Sequence, residues 1–239
     1  MDSGASTFVP FGLQHWLGTG ITLAVAVLVP VLLRRHASPQ GQETARKVIA
    51  VCMFVDIGLG PALSAGVYGL PLAQHLPLQL CGMSVTLGAF MLWLRSYRLY
   101  EVLYYWGTGG ALVALLTPDV VQAFPHPLFL RFFLSHGLAF MAVMYATLVM
   151  GFRPRARSLL VVMPVTAAYS LLIYPVNLLL GSNYLFLVAK PAQPSPLDLF
   201  GPWPWYIPGF IVMVAVALLL LYAPFAVFDV LRAKARRRA

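Results

Sequence analysis

Long apolar stretches, separated by short polar or proline-rich segments, recur along the whole chain. Each approaches the roughly 20 residues that a helix needs to cross the hydrocarbon core of a bilayer. The stretches lack sustained alternation of apolar and polar residues, which favours helices over the strands of a membrane barrel. The pattern predicts seven spans, at residues 16–33, 48–70, 77–94, 100–116, 128–150, 158–180 and 207–230.

The composition agrees with an all-α polytopic membrane protein. Hydrophobic residues make up 60% of the 239 positions and charged residues only 10%, whereas a soluble domain carries roughly a quarter charged residues. The length fits a single helical domain over residues 1–239 with a basic tail at 232–239. Residues 1–6 lack the basic segment that opens a signal peptide, so the first span is expected to stay in the mature protein.

The formal net charge of +9 would suit a nucleic-acid partner, but the basic residues cluster at span ends. Apart from Arg131 and Lys190, they lie between spans one and two, three and four, five and six, or after span seven. With seven spans these segments share one side of the membrane, which the positive-inside rule makes cytoplasmic. We therefore expect an outside N-terminus, a cytoplasmic C-terminus and no nucleic-acid partner.

Two reactive residues stand out, Cys81 in the third span and His136 in the fifth. Pro77 suits the first turn of a helix, and a rise of 1.5 Å per residue then places Cys81 about 6 Å and His136 about 12 Å from the outer boundary. A thiol needs an adjacent base to become a nucleophile, so the pair is a candidate catalytic site. The alternative is a buried cysteine that only packs and a histidine that only bonds neighbouring helices.

Other polar residues fall on the same outer side and are candidate contacts for a substrate. They are His15 at the start of span one, Gln79 before Cys81, Asp119 after span four and Asn177 near the end of span six. No cysteine and histidine spacing resembles a zinc site, and no glycine-rich phosphate loop is present. We expect neither a metal nor a cofactor.

Two further residues frame the alternatives. Asp56 lies near the middle of span two, before a Gly-Leu-Gly-Pro run at 58–61. It fits a proton relay or a broken transporter helix as well as it fits a carboxyl group bonded to a neighbouring helix. Cys52 lies on the opposite side, roughly 18 Å in depth from Cys81 in a core of about 30 Å. We expect no disulfide between them and a packing role for Cys52.

Ordered motifs along the chain carry a resemblance. They are Leu-Pro-Leu-Gln-Leu-Cys at 76–81, Leu-Leu-Thr-Pro-Asp at 115–119, Phe-Phe-Leu-Ser-His-Gly at 132–137, Gly-Ser-Asn-Tyr-Leu-Phe-Leu at 181–187 and Gly-Pro-Trp-Pro-Trp-Tyr at 201–206. This series resembles the YwaF-type integral membrane proteins of bacteria. That family is similar to a eukaryotic cysteine-dependent acyltransferase of ether phospholipids and, more distantly, to androgen-induced lipid hydrolases.

The resemblance implies that Cys81 accepts the acyl group and that His136 is the base, in a protein of the bacterial cytoplasmic membrane. We add Asn177, Asn183, Lys190 and Asp198 as expected contacts for an oxyanion or a lipid headgroup. The resulting hypothesis is an intramembrane acyltransferase or transacylase acting on a phospholipid or lysophospholipid. The alternative is a transporter or binding protein that uses Asp56 and the outer polar residues without catalysis. The sequence leaves the lipid class, the balance of transfer and hydrolysis, and the oligomeric state open.

Overall fold

The structure is a computed structural model that describes residues 7–191 and 195–238. Its described part is helical, with one isolated bridge between Thr7 and Gln122. The predictions made for residues 1–6, 192–194 and 239 lie outside the described residues. The helices are α1 (Leu13–His36), α2 (Pro39–Pro61), α3 (Leu72–His75), α4 (Leu80–Leu94), α5 (Tyr97–Leu116), α6 (Pro127–Leu148), α7 (Ala156–Leu180) and α8 (Tyr206–Arg238).

Each predicted span corresponds to one of the seven long helices in the described part of the chain. Five helices among the described residues are long and apolar enough to cross a membrane. They are Leu13–His36, Pro39–Val67, Pro127–Leu148, Ala156–Leu180 and Tyr206–Arg232. Helix α4 is apolar but has only 15 residues, and α5 is not in the set of five. The chain is therefore an all-helical membrane protein, and the total of seven spans stays a prediction.

The prediction that Pro77 opens a helix is wrong. Helix α4 begins at Leu80, and the preceding residues form the four-residue helix α3 and a turn. Pro77 instead folds back onto Gly82, where a Cβ would lie 2.8 Å from the Pro77 Cα. Glycine permits this close approach of backbone to backbone. As a result, Cys81 is the second residue of α4 instead of lying a full turn inside it.

The chain divides into two compact units, Met1–Phe152 and Arg153–Ala239, and the single domain stays a prediction. In the first unit α5 is the most enclosed helix and packs on α4 and α6. Its buried face is aromatic as well as aliphatic, with Tyr100, Leu103, Tyr105 and Trp106 all buried. The polar residues Glu101 and Thr108 of α5 are buried as well, so the enclosed surface of this helix is not fully apolar.

Helix α1 has the opposite character. Leu17, Ile21, Val25, Leu28 and Leu32 are all more than 45% exposed. Their spacing of three or four residues puts them on one face of the helix. A contiguous exposed apolar stripe of this length suits contact with lipid tails.

One end of the first unit is tied together by its polar residues. Glu43 forms an ion pair with Arg46 and lies within 4 Å of Lys47 and Arg95. Arg46 also donates to the Trp93 carbonyl at 3.0 Å. These contacts bring the α1–α2 and α4–α5 connections to the same end, as the charge pattern predicts within this unit. Which side of the membrane this end faces stays a prediction.

In the second unit, α7 packs against α8. The segment between them, called here the loop 181–206, contains only two short 3₁₀ turns, Tyr184–Phe186 and Pro196–Phe200, in its described part. The Trp203 indole donates to the Leu187 carbonyl at 3.1 Å, and the Tyr206 hydroxyl donates to the Phe186 carbonyl at 2.5 Å. The loop is irregular because its several prolines break helices, yet these bonds give it a defined path.

Candidate functional site

A cavity of about 530 Å³ lies in the first unit. Its wall is formed by α2, the turn before α4, the first turn of α4, the segment between α5 and α6, and α6. Its polar lining includes Asp56, Ser64, Gln74, His75, Gln79, Cys81, Asp119, Gln122, Arg131, Ser135 and His136. A volume of this size is typical of small-molecule sites.

Cys81 is placed on this wall by the first turn of α4. Its side chain is half-buried, and the thiol lies 3.8 Å from the Gly110 carbonyl of α5, to which it donates. The first backbone bond of α4 runs from the Met83 N–H to the Gln79 carbonyl. The N–H groups of Leu80, Cys81 and Gly82 therefore have no acceptor within the helix, as at any helix start.

His136 reaches the cavity from the middle of α6. Its Nδ1 lies 2.7 Å from the Phe132 carbonyl, one turn earlier on the same helix. A carbonyl only accepts hydrogen bonds, so Nδ1 carries the proton and Nε2 of the neutral ring carries the lone pair. The Phe132 ring lies against the imidazole, with ring centroids 4.4 Å apart. The two contacts fix both the tautomer and the orientation of the imidazole ring.

The structure thus brings four of the predicted site residues to one cavity, namely Cys81, His136, Gln79 and Asp119. In the described part of the chain, the thiol of Cys81 bonds to Gly110 and not to the imidazole of His136. Asp119 is exposed at the cavity wall. Their roles as catalytic and substrate-binding residues stay predictions.

An ion pair between the buried Asp56 and the partly exposed Arg131 borders the same cavity. The Ser135 hydroxyl lies 2.8 and 2.7 Å from the two carboxylate oxygens of Asp56, to which it donates. The Arg131 Nε lies 3.8 Å from Asp56 Oδ1. Of the two readings of Asp56, the bond to a neighbouring helix is present. Helix α2 continues without a break into a π-helical turn at Ala62–Val67, so the broken transporter helix stays a prediction.

His15 lies away from the cavity lining and has both ring nitrogens in use. Its Nδ1 accepts from the Phe11 N–H at 2.9 Å, so Nε2 donates to the Leu115 carbonyl at 2.7 Å. The ring is fully buried and stacks on Trp16. These contacts tie the start of α1 to the end of α5, and a role for His15 in substrate binding stays a prediction.

Asn177, Asn183 and Lys190 belong to the second unit. The Asn177 amide donates to the Tyr184 carbonyl at 2.9 Å and accepts from the Tyr184 N–H and the Ser182 hydroxyl. Asn183 bonds in the same way to the backbone of Val188 and Ala189. The Lys190 ammonium lies 3.1 Å from Asp198 Oδ1. Each of these side chains is engaged by the loop itself.

The two cysteines are free, which confirms the prediction of no disulfide between them. Cys52 is exposed on the face of α2 that points away from the protein core, next to Val48, Val51 and Trp93, and its predicted packing role stays a prediction. A cysteine at position 52 faces outward because its helix turns Ala50 and Met53 inward. No cluster of three metal-ligating side chains occurs in the described residues.

The sequence interpretation missed the link between Asp56, Arg131 and Ser135. A signal was present, because Arg131 and Ser135 are four residues apart and share a helix face. A charge inside a membrane protein also requires a partner, and Arg131 lies away from the span ends at which most of the basic residues cluster. His75 and Gln74 were missed because the short helix α3 falls in a segment that reads as a loop.

Comparisons with known proteins give a family and one distant relative. The family model described as the TMEM164 family matches residues 10–222. An uncharacterized protein of Treponema pallidum (strain Nichols) is 28% identical over 229 residues, which cover 91% of this chain and 90% of that protein. No solved structure matches the chain.

Proposed function

This chain belongs to the TMEM164 family of membrane proteins, and we propose that it is an intramembrane acyltransferase or transacylase that forms a thioester on Cys81. The substrate would be a phospholipid, and His136 would be the general base. The observation that supports the proposal is the presence of Cys81 and His136 on the wall of one cavity of about 530 Å³. The motif resemblance to cysteine-dependent lipid acyltransferases points to the same chemistry.

In the first half of the reaction, Nε2 of His136 takes the proton of the Cys81 thiol. The thiolate attacks the ester carbonyl of the lipid, a C–S bond forms, and the ester C–O bond breaks. The imidazolium returns its proton to the departing lysolipid alkoxide. The tautomer fixed by Phe132 suits this role, because it leaves Nε2 free to accept a proton.

In the second half, an alcohol of a lysolipid attacks the thioester while His136 removes its proton. The new ester C–O bond forms, the C–S bond breaks, and the sulfur recovers the proton from the imidazolium. Water in place of the alcohol would give hydrolysis instead of transfer. The same two residues serve both halves, as in other acyl-enzyme mechanisms.

The oxyanion formed in each half requires hydrogen-bond donors. The start of α4 offers the backbone N–H groups of Cys81 and Gly82, which have no acceptor within the helix. The positive end of the helix dipole adds to their effect. Asn177, the side-chain donor expected from the sequence, already spends its amide on the Tyr184 carbonyl, so we assign the role to the backbone.

The test is acyl exchange by purified protein in lipid vesicles, with a labelled diacyl phospholipid as donor and a lysophospholipid as acceptor. Cys81→Ala should abolish transfer, because no nucleophile remains. Cys52→Ala is the matched control and should transfer at the unmodified rate, because its thiol is outside the cavity. Transfer that survives Cys81→Ala would exclude the proposed nucleophile.

The second candidate is a transporter or binding protein, which the π-helical turn after α2 favours, since such turns are common at functional sites. Asp56 borders the same cavity and would be the proton-coupled group. This candidate predicts that Asp56→Asn abolishes proton-coupled uptake of a solute into vesicles while Cys81→Ala has no effect. The acyltransferase predicts the reverse dependence on Cys81.

A further inference from the structure

The side chain of Arg131 has a donor without an acceptor beside the cavity. Its Nε is buried and has no hydrogen-bond partner in the described part of the chain. The closest carboxylate oxygen, Asp56 Oδ1, lies 3.8 Å away, which is beyond hydrogen-bond distance. A guanidinium has five N–H donors. The carboxylate of Asp56, next to this guanidinium, also accepts from the Ser135 hydroxyl at both of its oxygens.

The guanidinium is nevertheless held in one place by the backbone of α2. A Cβ built on Gly60 would lie 2.0 Å from Nη2 and 2.5 Å from Cζ of Arg131. Only a residue without a side chain leaves room for the guanidinium there. A Cβ on Gly58, about half a turn earlier in α2, would have nothing within 4 Å. The arginine is thus seated against α2, its Nε–H has no partner in the described part of the chain, and its side chain lines the cavity.

We propose that Arg131 is the residue that binds the phosphate group of the substrate lipid, an inference that rests on the proposed function for the identity of the substrate. The fork of a guanidinium matches phosphate oxygens in geometry and charge. Asp56 and Ser135 orient this fork, and Gly60 provides the surface against which it lies. Arg131 and Cys81 line the same cavity, so a lipid bound through its phosphate would have its glycerol esters near the thiol.

The charges of the wall favour a lipid phosphate over a free phosphate ion. The ionised side chains of the lining are Asp56, Asp119 and Arg131, so the wall carries no excess of positive charge. A small anion would gain little from the field of such a wall. A phosphate attached to acyl chains gains the burial of those chains as well, at about 25 cal/mol per Å² of apolar surface.

The test measures binding without chemistry, using two probes that contain no carboxylic ester for the thiolate to attack. One is an ether-linked lysophosphatidylglycerol, and the other is an alkylglycerol with the same chain but no phosphate. Each probe is added at increasing concentration to the Cys52→Ala protein, and the rate at which a maleimide alkylates Cys81 is measured. The concentration that halves this rate, called the half-protecting concentration, is recorded. Inorganic phosphate is the third probe and should not protect.

Gly60→Ala is the diagnostic variant, because it displaces the guanidinium without removing its charge, and alanine is a better helix former than glycine. It should raise the half-protecting concentration of the phosphate-bearing probe about ten- to a hundredfold, the effect of losing a hydrogen bond to a charged group. The value for the alkylglycerol should not change. Gly58→Ala is the matched control and should leave both probes unaffected.

Arg131→Lys supplies a second variant. It should weaken binding of the phosphate-bearing probe less than Gly60→Ala does, because the ammonium can stay beside the cavity whereas Gly60→Ala moves the whole guanidinium away. Equal shifts for both probes, or no shift for either, would overturn the assignment of Arg131. Protection by inorganic phosphate at a comparable concentration would overturn the lipid source. Phosphate-dependent protection in a protein that never forms a Cys81 thioester would instead refute the proposed function and leave this inference standing.

Discussion

The cavity wall of the first unit and the loop 181–206 of the second were both predicted to bind substrate, but they use their polar groups differently. In the loop and at the end of the helix before it, the side-chain amides of Asn177 and Asn183 both donate to and accept from nearby backbone groups. In the cavity wall, by contrast, the hydrogen bond of His136 uses Nδ1 and leaves the lone pair of Nε2. The Nε–H of Arg131 has no acceptor in the described part of the chain. Polar residues that share a predicted location can therefore be separated by what their hydrogen bonds already do.

The difference follows from the cost of burying polar groups. A buried donor or acceptor without a partner costs about 1–3 kcal/mol, so a fold keeps such groups only where something else compensates. In the loop, the irregular backbone has orphan groups of its own, and the asparagines satisfy them. In the cavity wall, ligand or substrate would supply the missing partners.

The largest expected effect that tests this contrast is the loss of the base. His136→Ala should lower the rate of acyl transfer about a hundredfold or more, the usual contribution of a general base. The unfolding temperature should change little, because the ring makes one hydrogen bond, to the carbonyl of its own helix. The measurement is the initial rate of acyl transfer beside a thermal melt. A rate within a factor of two of the unmodified protein would remove His136 from the mechanism.

The next effect is on stability and belongs to the loop. Asn177→Ala should lower the free energy of unfolding by about 3 kcal/mol or more, since it leaves the Tyr184 backbone and the Ser182 hydroxyl without their buried partner. Denaturant titration in detergent measures the change. Alkylation of Cys81 in the folded fraction should proceed at the rate of the unmodified protein. Slower alkylation with unchanged stability would contradict the structural role of Asn177 and favour a role at the cavity.

The smallest effect concerns the exposed ion pair of the loop. The Ser195 N–H and, secondly, the Lys190 ammonium hold the pKa of Asp198 below its ordinary value. Because the folded pKa is lowered, the stabilisation is complete above the ordinary carboxyl pKa and is lost as the pH falls through the lowered one. Acidification should therefore shift the fluorescence of a variant that keeps only Trp203.

The control for that titration is the same variant with Asp198→Asn, which should show no transition in the acid range. A transition of equal size in both would assign the acid response to another group. The effect is expected to be small because solvent screens an exposed ion pair, which then contributes little to stability.

The sequence predicted the helices well because apolar length is a strong signal. Every predicted span matches a helix to within a few residues except at three places. Helix α2 begins at Pro39, well before span two, α4 begins after Pro77, and α8 continues past the end of span seven to Arg238. Ser38 caps α2 by accepting from the Gly41 N–H, and the basic first turns of this helix read as a loop in an apolar scan. Proline suits both a first turn and a loop, so its presence at position 77 could not place the start of α4.

The site was predictable only in part. Depth along the spans was sufficient to group Cys81 with His136, because helix rise is constant. It was not sufficient to show that His15 and Asn177 have their bonds satisfied, since their partners, Leu115 and Tyr184, are set by tertiary packing and by the turn after α7. Nor could it show that Gly60 makes room for Arg131, a contact between two helices that are far apart in sequence.

The central claim is that Cys81 carries an acyl group during the reaction, and peptide mass analysis tests it most directly. Protein incubated with a diacyl phospholipid would be quenched in acid, digested and mapped. We predict one acyl mass on the peptide that contains Cys81, labile to hydroxylamine, greatly reduced in His136→Ala and unaffected by Cys52→Ala. An unmodified Cys81 peptide under conditions where acyl transfer proceeds would contradict the account.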